Sequence, residues 1–79
     1  LKEANVILVK LEFLQPYLKD KDISQSQFAD AVGVTQSTVN RVMNGKRNPG
    51  GKFVSGVLQS FNDLSFDEVF TYGKDLSNE

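Results

Sequence analysis

The spacing of hydrophobic positions changes along the chain, and each change marks an element. Val6–Leu11 (VILVKL) is almost continuously apolar and rich in β-branched residues. That favours a strand; a helix running on from Ala4 is the alternative. Leu14, Tyr17 and Leu18 then recur at helical spacing, so Phe13–Lys21 is expected to be a helix with these residues on its inner face. Pro16 fits only within a first turn, where no intrahelical N–H is lost, which puts the regular helix start near Phe13. Asp20–Asp22 is a charged turn. Phe28, Ala29 and Val32 resume the helical period, and Val39 and Val42 continue it in a further helix. Phe53, Val57 and Phe61 share one face of a fourth helix, about Gly51–Phe61, with Val54 and Leu58 beside them. Gly56 inside it costs about 1 kcal/mol against Ala, which points to a close helix contact. Ser65 and Glu68 form a capping box that opens one short turn. Phe70 and Tyr72 alternate around Thr71 after it. A lone strand is unstable, and Val69–Tyr72 is the only late partner for the first. Residues 6–11 and 69–72 are therefore expected to pair as a two-stranded antiparallel ribbon. Residues 1–5 and 73–79 are expected to be loose.

The densest local signals lie in Ser24–Pro49, SQSQFADAVGVTQSTVNRVMNGKRNP. Ser24 is a good N-cap, and Gln27 completes a capping box. Ile23 stands before the cap as a hydrophobic neighbour. Gly33 stops the first helix where a left-handed backbone conformation is needed. Val34 tucks under the turn, and Thr35 caps the second helix. Val39 and Val42 face the core, and Asn44-Gly45 ends the helix. Ala29 has to be small because the second helix crosses close above it. This is the pattern of a DNA-reading helix-turn-helix, core 24–44, with the second helix Thr35–Asn44 as the reader. The bland reading is a helical hairpin that only packs a core.

Gln25, Phe28-Ala29, Gly33-Val34-Thr35 and Asn44-Gly45-Lys46-Arg47-Asn48-Pro49 together resemble the lambda-repressor-like family of phage repressors, Cro proteins and their bacterial relatives. The strong match covers about a third of the chain. Met43 departs from the family, which often carries Glu there, and this removes a minor polar contact. The resemblance implies a mainly α fold of four to five short helices. It also implies that Gln25 and Gln36, each starting a helix, act as a pair. Gln25 would steady Gln36 and touch a phosphate. The alternative is that both are ordinary polar first-turn residues.

Composition narrows the chemistry. Seventy-nine residues make one domain with a small core. There is no Cys and no His. Disulfides, thiolate metal sites and the commonest general base are thereby removed. No catalytic constellation of carboxylates, Lys, Ser or Tyr is recognisable, so the expectation is a binding protein, not an enzyme, with no cofactor and no metal. The longest unbroken apolar run, Val6–Val9, is far short of a membrane span. No signal-peptide pattern appears, and a soluble protein in a reducing compartment is the simplest expectation; the resemblance implies the bacterial cytoplasm or nucleoid. The chain starts Leu-Lys-Glu without Met, as a trimmed or excised piece would.

The net charge of −1 at first argues against nucleic acid, but its distribution argues for it. Gly33–Lys52 holds Arg41, Lys46, Arg47 and Lys52 and no acid. Phe53–Glu79 holds Asp63, Asp67, Glu68, Asp75 and Glu79 against Lys74 alone. The local field governs phosphate binding; the bland reading is a solvated basic loop. On the second helix, Gln36, Ser37, Asn40 and Arg41 share the outer face and are the candidate base contacts. Gln matches adenine N6/N7 and Arg matches guanine O6/N7, each in bidentate fashion. Candidate backbone contacts are Gln25, Thr35, Thr38, Asn44, Lys46, Arg47, Asn48 and Lys52, with helix N-termini adding N–H donors.

So few phosphate contacts bind weakly at cellular salt. A homodimer on a palindromic operator is therefore expected, with half-sites about one turn, ~34 Å, apart. Phe66, Phe70 and Tyr72 are candidates for its contact, although Phe66 fits the core better. The expected function is a sequence-specific regulator of transcription, most simply a repressor. The alternative is an antitoxin-type or adaptor module whose acidic, aromatic C-terminal part docks a protein.

Overall fold

The computed structural model describes residues 5–74. The elements follow in the order β1 (Val6–Val9), α1 (Leu11–Asp20), α2 (Gln25–Val32), α3 (Gln36–Met43), α4 (Gly51–Ser60), α5 (Phe66–Val69) and β2 (Phe70–Gly73). The fold is mainly helical, with one small antiparallel sheet of β1 and β2, as the hydrophobic spacing anticipates. The register pairs Val6 with Gly73, Ile7 with Tyr72, Leu8 with Thr71 and Val9 with Phe70.

The ribbon is shifted from its expected limits, for a local reason. The Lys10 N–H donates to the Val69 carbonyl at 2.6 Å, while the Lys10 carbonyl already accepts from Phe13 and Leu14 at 3.0 and 2.9 Å. Lys10 is thus the N-cap of α1, and β1 stops at Val9. Val69 ends α5 instead of starting β2. Gly73, expected to be loose, is the last residue of β2. Leu8 lies over it, and a Cβ at Gly73 would come within 2.6 Å of Leu8 Cδ1. Asn5 is exposed coil, and the rest of the ends expected to be loose, 1–4 and 75–79, lies outside the described residues.

Helix α1 corrects a second expectation. It starts at Leu11, so Pro16 lies inside the helix, beyond its first turn. The missing Pro16 N–H deprives the Glu12 carbonyl of its helical donor. Glu12 and Pro16 are both exposed, so water can replace that donor. The ribbon anchors Lys10, and that anchor outweighs the local preference of proline.

The core is built from one face of each helix. Leu14 and Leu18 come from α1, Phe28, Ala29 and Val32 from α2, Val39, Val42 and Met43 from α3, and Phe53 and Val57 from α4. Leu64, Val69 and Phe70 close it. Phe28 sits between two rings, with centroids 5.8 Å from Phe53 and 5.6 Å from Phe61. Met43 is an apolar core residue here. Gly56 is buried where α4 crosses α2, and a Cβ there would fall on the Val32 carbonyl and 2.8 Å from Val32 Cγ1. Ser60 Oγ adds a hydrogen bond to the Ala31 carbonyl at 2.6 Å. Phe70 is 1% exposed, which corrects its candidacy as an intermolecular contact. Phe66 packs half-buried against the core, as preferred, and Tyr72 stays 64% exposed. No helix among the described residues is long and apolar enough to cross a membrane.

Candidate nucleic-acid interface

Local hydrogen bonds fix the geometry of α2 and α3. The Gln27 N–H donates to Ser24 Oγ at 3.1 Å, and the Ser24 N–H donates to Gln27 Oε1 at 2.9 Å. Both halves of the expected capping box are therefore made. At the other end of α2, Gly33 has φ 89°, in the left-handed region. The Gly33 and Val34 N–H groups both donate to the Ala29 carbonyl, at 2.8 and 3.1 Å. The chain then turns at once, and Thr35 Oγ1 accepts from the Thr38 N–H at 3.1 Å to cap α3. The Thr35 hydroxyl donates in turn to Thr38 Oγ1 at 3.0 Å.

Helix α3 ends in a Schellman motif. Gly45 is left-handed at φ 72°, its N–H donates to the Val42 carbonyl at 3.1 Å, and the Lys46 N–H donates to the Arg41 carbonyl at 2.9 Å. Asn44-Gly45 thus terminates the helix and turns Lys46 and Arg47 outward, where both are exposed. Val39, Val42 and Met43 are buried on the inner face of α3. Gln36, Ser37, Asn40 and Arg41 are all exposed on the other face. Thr38, between the two faces, is half-buried.

Six of the eight candidate backbone contacts fall into two groups at opposite ends of α3. Thr35, Thr38, Arg47 and Lys52 line one depression of about 330 Å³, floored by Gly33 and Phe53. It lies where the N-termini of α3 and α4 meet, so two cations, two hydroxyls and helix N–H groups converge on it. Gln25 and Asn44 line a second, also about 330 Å³, at the C-terminal end of α3. Lys19 and Gln15 join them there, and Gln15 Nε2 donates to the Met43 carbonyl at 3.1 Å. Lys46 and Asn48 lie on the connecting loop, Asn48 half-buried.

One implied arrangement is different in the structure. Gln36 Nε2 donates to Ser26 Oγ at 3.3 Å, so its hydrogen-bond partner on α2 is Ser26. Gln25 instead faces the second depression. Asn40 is also held, by Asn44 Nδ2 donating to its Oδ1 at 3.2 Å. Ser26 and Lys19 went unnoticed in the sequence because neither belongs to a local pattern; only the packing of α1 and α2 against α3 brings them here. No group of carboxylates able to hold a metal occurs among the described residues.

The comparisons with known proteins agree with this geometry. A model of the helix-turn-helix family matches residues 17–69. The chain is 35% identical over 66 residues to the uncharacterized HTH-type transcriptional regulator YvzC of Bacillus subtilis (strain 168), covering 84% of each chain. No solved structure gives a significant match. The family match takes in the last four residues of α1 and all of α2, α3, α4 and α5. On the matched residues, the caps and the turn between α2 and α3, the chain belongs to the helix-turn-helix family of the lambda-repressor-like type.

Proposed function

We propose that this protein is a sequence-specific double-stranded-DNA-binding regulator of transcription, acting as a repressor by occupying DNA that polymerase needs. Family membership supports the DNA-binding part of this reading. The observation that carries the rest is the outer face of α3, where Gln36, Ser37, Asn40 and Arg41 are exposed together beside a basic loop without acids. An α-helix with its side chains is about 10–12 Å across, which fits the ~12 Å width of the major groove. Arg41 would then donate to guanine O6 and N7, and Asn40 and Gln36 would pair with adenine. Two copies on a palindromic operator double the phosphate contacts, and the site of action is the bacterial cytoplasm or nucleoid.

Selection of bound duplexes from a random pool tests this. A defined site should emerge, and Arg41→Ala should cost about 1–3 kcal/mol on it while relaxing preference at one base pair. Equal losses on every sequence would contradict base reading by Arg41. The second reading, a protein-docking module, is favoured by Tyr72, which is 64% exposed on the ribbon. Absence of any DNA retention in the selection would leave that reading in place.

A further inference from the structure

We infer that Asn44 is a site of spontaneous modification at which the protein loses DNA affinity as it ages. The Gly45 backbone nitrogen converts the Asn44 carboxamide to a carboxylate, and the end of α3 sets how often it can do so. The consequence for DNA rests on the reading of α3 as the groove-binding helix; the modification itself does not. Asn44 is the only asparagine in the chain followed by glycine. Gly45 has no side chain to shield its nitrogen from the Asn44 Cγ, and asparagine is among the thermolabile residues. The Gly45 nitrogen gives up its proton and bonds to Cγ, ammonia leaves, and a five-membered imide ring closes. Water then opens the ring at one of its two carbonyls. Opening at Cγ leaves aspartate. Opening at the α-carbonyl leaves isoaspartate, with the chain running through Cβ and Cγ. Water is consumed, ammonia is released, and nothing is oxidised or reduced.

The fold restrains this reaction. Asn44 has φ −95° and ψ 6°, which puts the Gly45 nitrogen beside the Asn44 nitrogen and away from Cγ. The Gly45 N–H is held by the Val42 carbonyl at 3.1 Å, and the Lys46 N–H by the Arg41 carbonyl at 2.9 Å. A 3.2 Å hydrogen bond joins the Asn44 and Asn40 carboxamides. Ring closure needs Asn44 to rotate about ψ, so the last turn of α3 has to open first. Helix ends open at far less cost than the whole fold, and Asn44 is exposed to the water that the second step uses. The effect on DNA follows from the place. Asn44 lines the depression that also holds Gln25 and Lys19, at the C-terminal end of α3. A carboxylate there faces the phosphates this depression would receive, and it lies at the negative end of the helix dipole. It opposes Lys19 and weakens every duplex regardless of sequence. Isoaspartate also lengthens the backbone by one carbon just before Gly45, which moves Lys46 and Arg47 out of their places.

The test holds the whole chain at neutral pH and samples it over time in three states: free, bound to a selected duplex, and unfolded in urea. Peptide mass spectrometry reads the mass gain of amide-to-carboxylate exchange and its position. Asn44 should be modified before any other asparagine, fastest in urea and more slowly when folded. With duplex at about ten times its Kd the rate should fall about tenfold further, because the chain has to release DNA before α3 opens. Asn44→Asp, made directly and shown by its melting to be folded, should weaken all duplexes alike by about tenfold at low salt. That gap should narrow as salt screens the new charge. Asn44→Ala, which removes the contact without adding charge, should lose less, and its gap should not narrow. Modification that begins at another asparagine overturns the inference, as does a folded chain left intact while the unfolded one is fully converted. Equal rates in the folded chain and in urea would remove the restraint by α3, and a rate unaffected by duplex would break its link to binding. An Asn44→Asp variant that binds no worse than Asn44→Ala overturns the role of the charge. A wild-type chain that binds no duplex is a different failure: it removes the DNA-binding function, and the mass readings still decide the modification.

Discussion

Gly56 sets how closely α4 can approach α2, because any Cβ there meets the Val32 backbone. Helix propensity alone would favour Ala by about 1 kcal/mol. The collision is with a carbonyl oxygen, which cannot swing aside as a side chain tip can, and overpacking of this kind costs about 1–3 kcal/mol. Gly56→Ala is therefore expected to lower the melting temperature. Gly51→Ala, at the open start of the same helix with nothing within 4 Å, serves as the control and should leave it unchanged or raise it. A rise in both variants would show that α2 and α4 have room to separate. Thr35 is decided by a different force. Its hydroxyl oxygen satisfies the Thr38 N–H at 3.1 Å, one of the donors left free at a helix start. Thr35→Ala should cost about 1 kcal/mol in urea unfolding, and Thr35→Asn, which keeps a cap acceptor, should recover most of it.

At the scale of elements, what was legible in the sequence is what local chemistry decides. Ser24, Gln27, Gly33, Thr35, Asn44 and Gly45 each act within a few residues of themselves, so α2, the turn and α3 could be placed from them. The outward face of α3 followed from the positions of Val39 and Val42. The start of α1 was not legible, because the ribbon fixes Lys10 through Val69, far along the chain, and overrides Pro16. The Ser26–Gln36 bond escaped for the same reason, being a product of helix packing. So did the contact between α1 and the loop after α4. There the Tyr17 hydroxyl donates to Asp63 Oδ1 and Oδ2 at 3.1 and 3.0 Å, and Lys21 Nζ lies 3.6 Å from Oδ2. The Tyr17 hydroxyl is the main cause holding the Asp63 carboxyl below its ordinary value, with the Lys21 charge adding to it. A depressed carboxylate stabilises the fold above the unfolded-state pKa, about 3.9, and that contribution is lost as pH falls through the folded value. Tyr17→Phe should accordingly be less stable than wild type near pH 7, and the gap should narrow in acid. Urea unfolding at several pH values measures it, and a gap independent of pH would mean that Tyr17 acts by packing alone.

Over the whole molecule, a net charge of −1 conceals a separation of charge that a partner would feel. The acid-free basic segment from Gly33 to Lys52 carries α3 and the loop behind it, while Asp63, Asp67 and Glu68 lie in the part that closes the ribbon. Each phosphate neutralised by a cation releases counterions, so Lys46→Ala should weaken all duplexes alike and lower the salt slope by about 1. Few cations are available for this in a single copy, and binding by one copy should collapse as salt rises. Two copies paired about a two-fold axis on a palindromic site would need their α3 helices about one DNA turn, ~34 Å, apart. If two-fold pairing supplies the missing affinity, a duplex with both half-sites in phase should be bound cooperatively at salt concentrations where a single half-site is not. Inserting about 5 base pairs, half a turn, between the half-sites turns one of them to the opposite side of the duplex. Cooperative binding should then vanish and return when about 10 are inserted, provided the copies can still reach each other. Occupancy that ignores the insertion would mean that the copies bind independently, and the affinity would have to come from the two depressions flanking α3 within one copy.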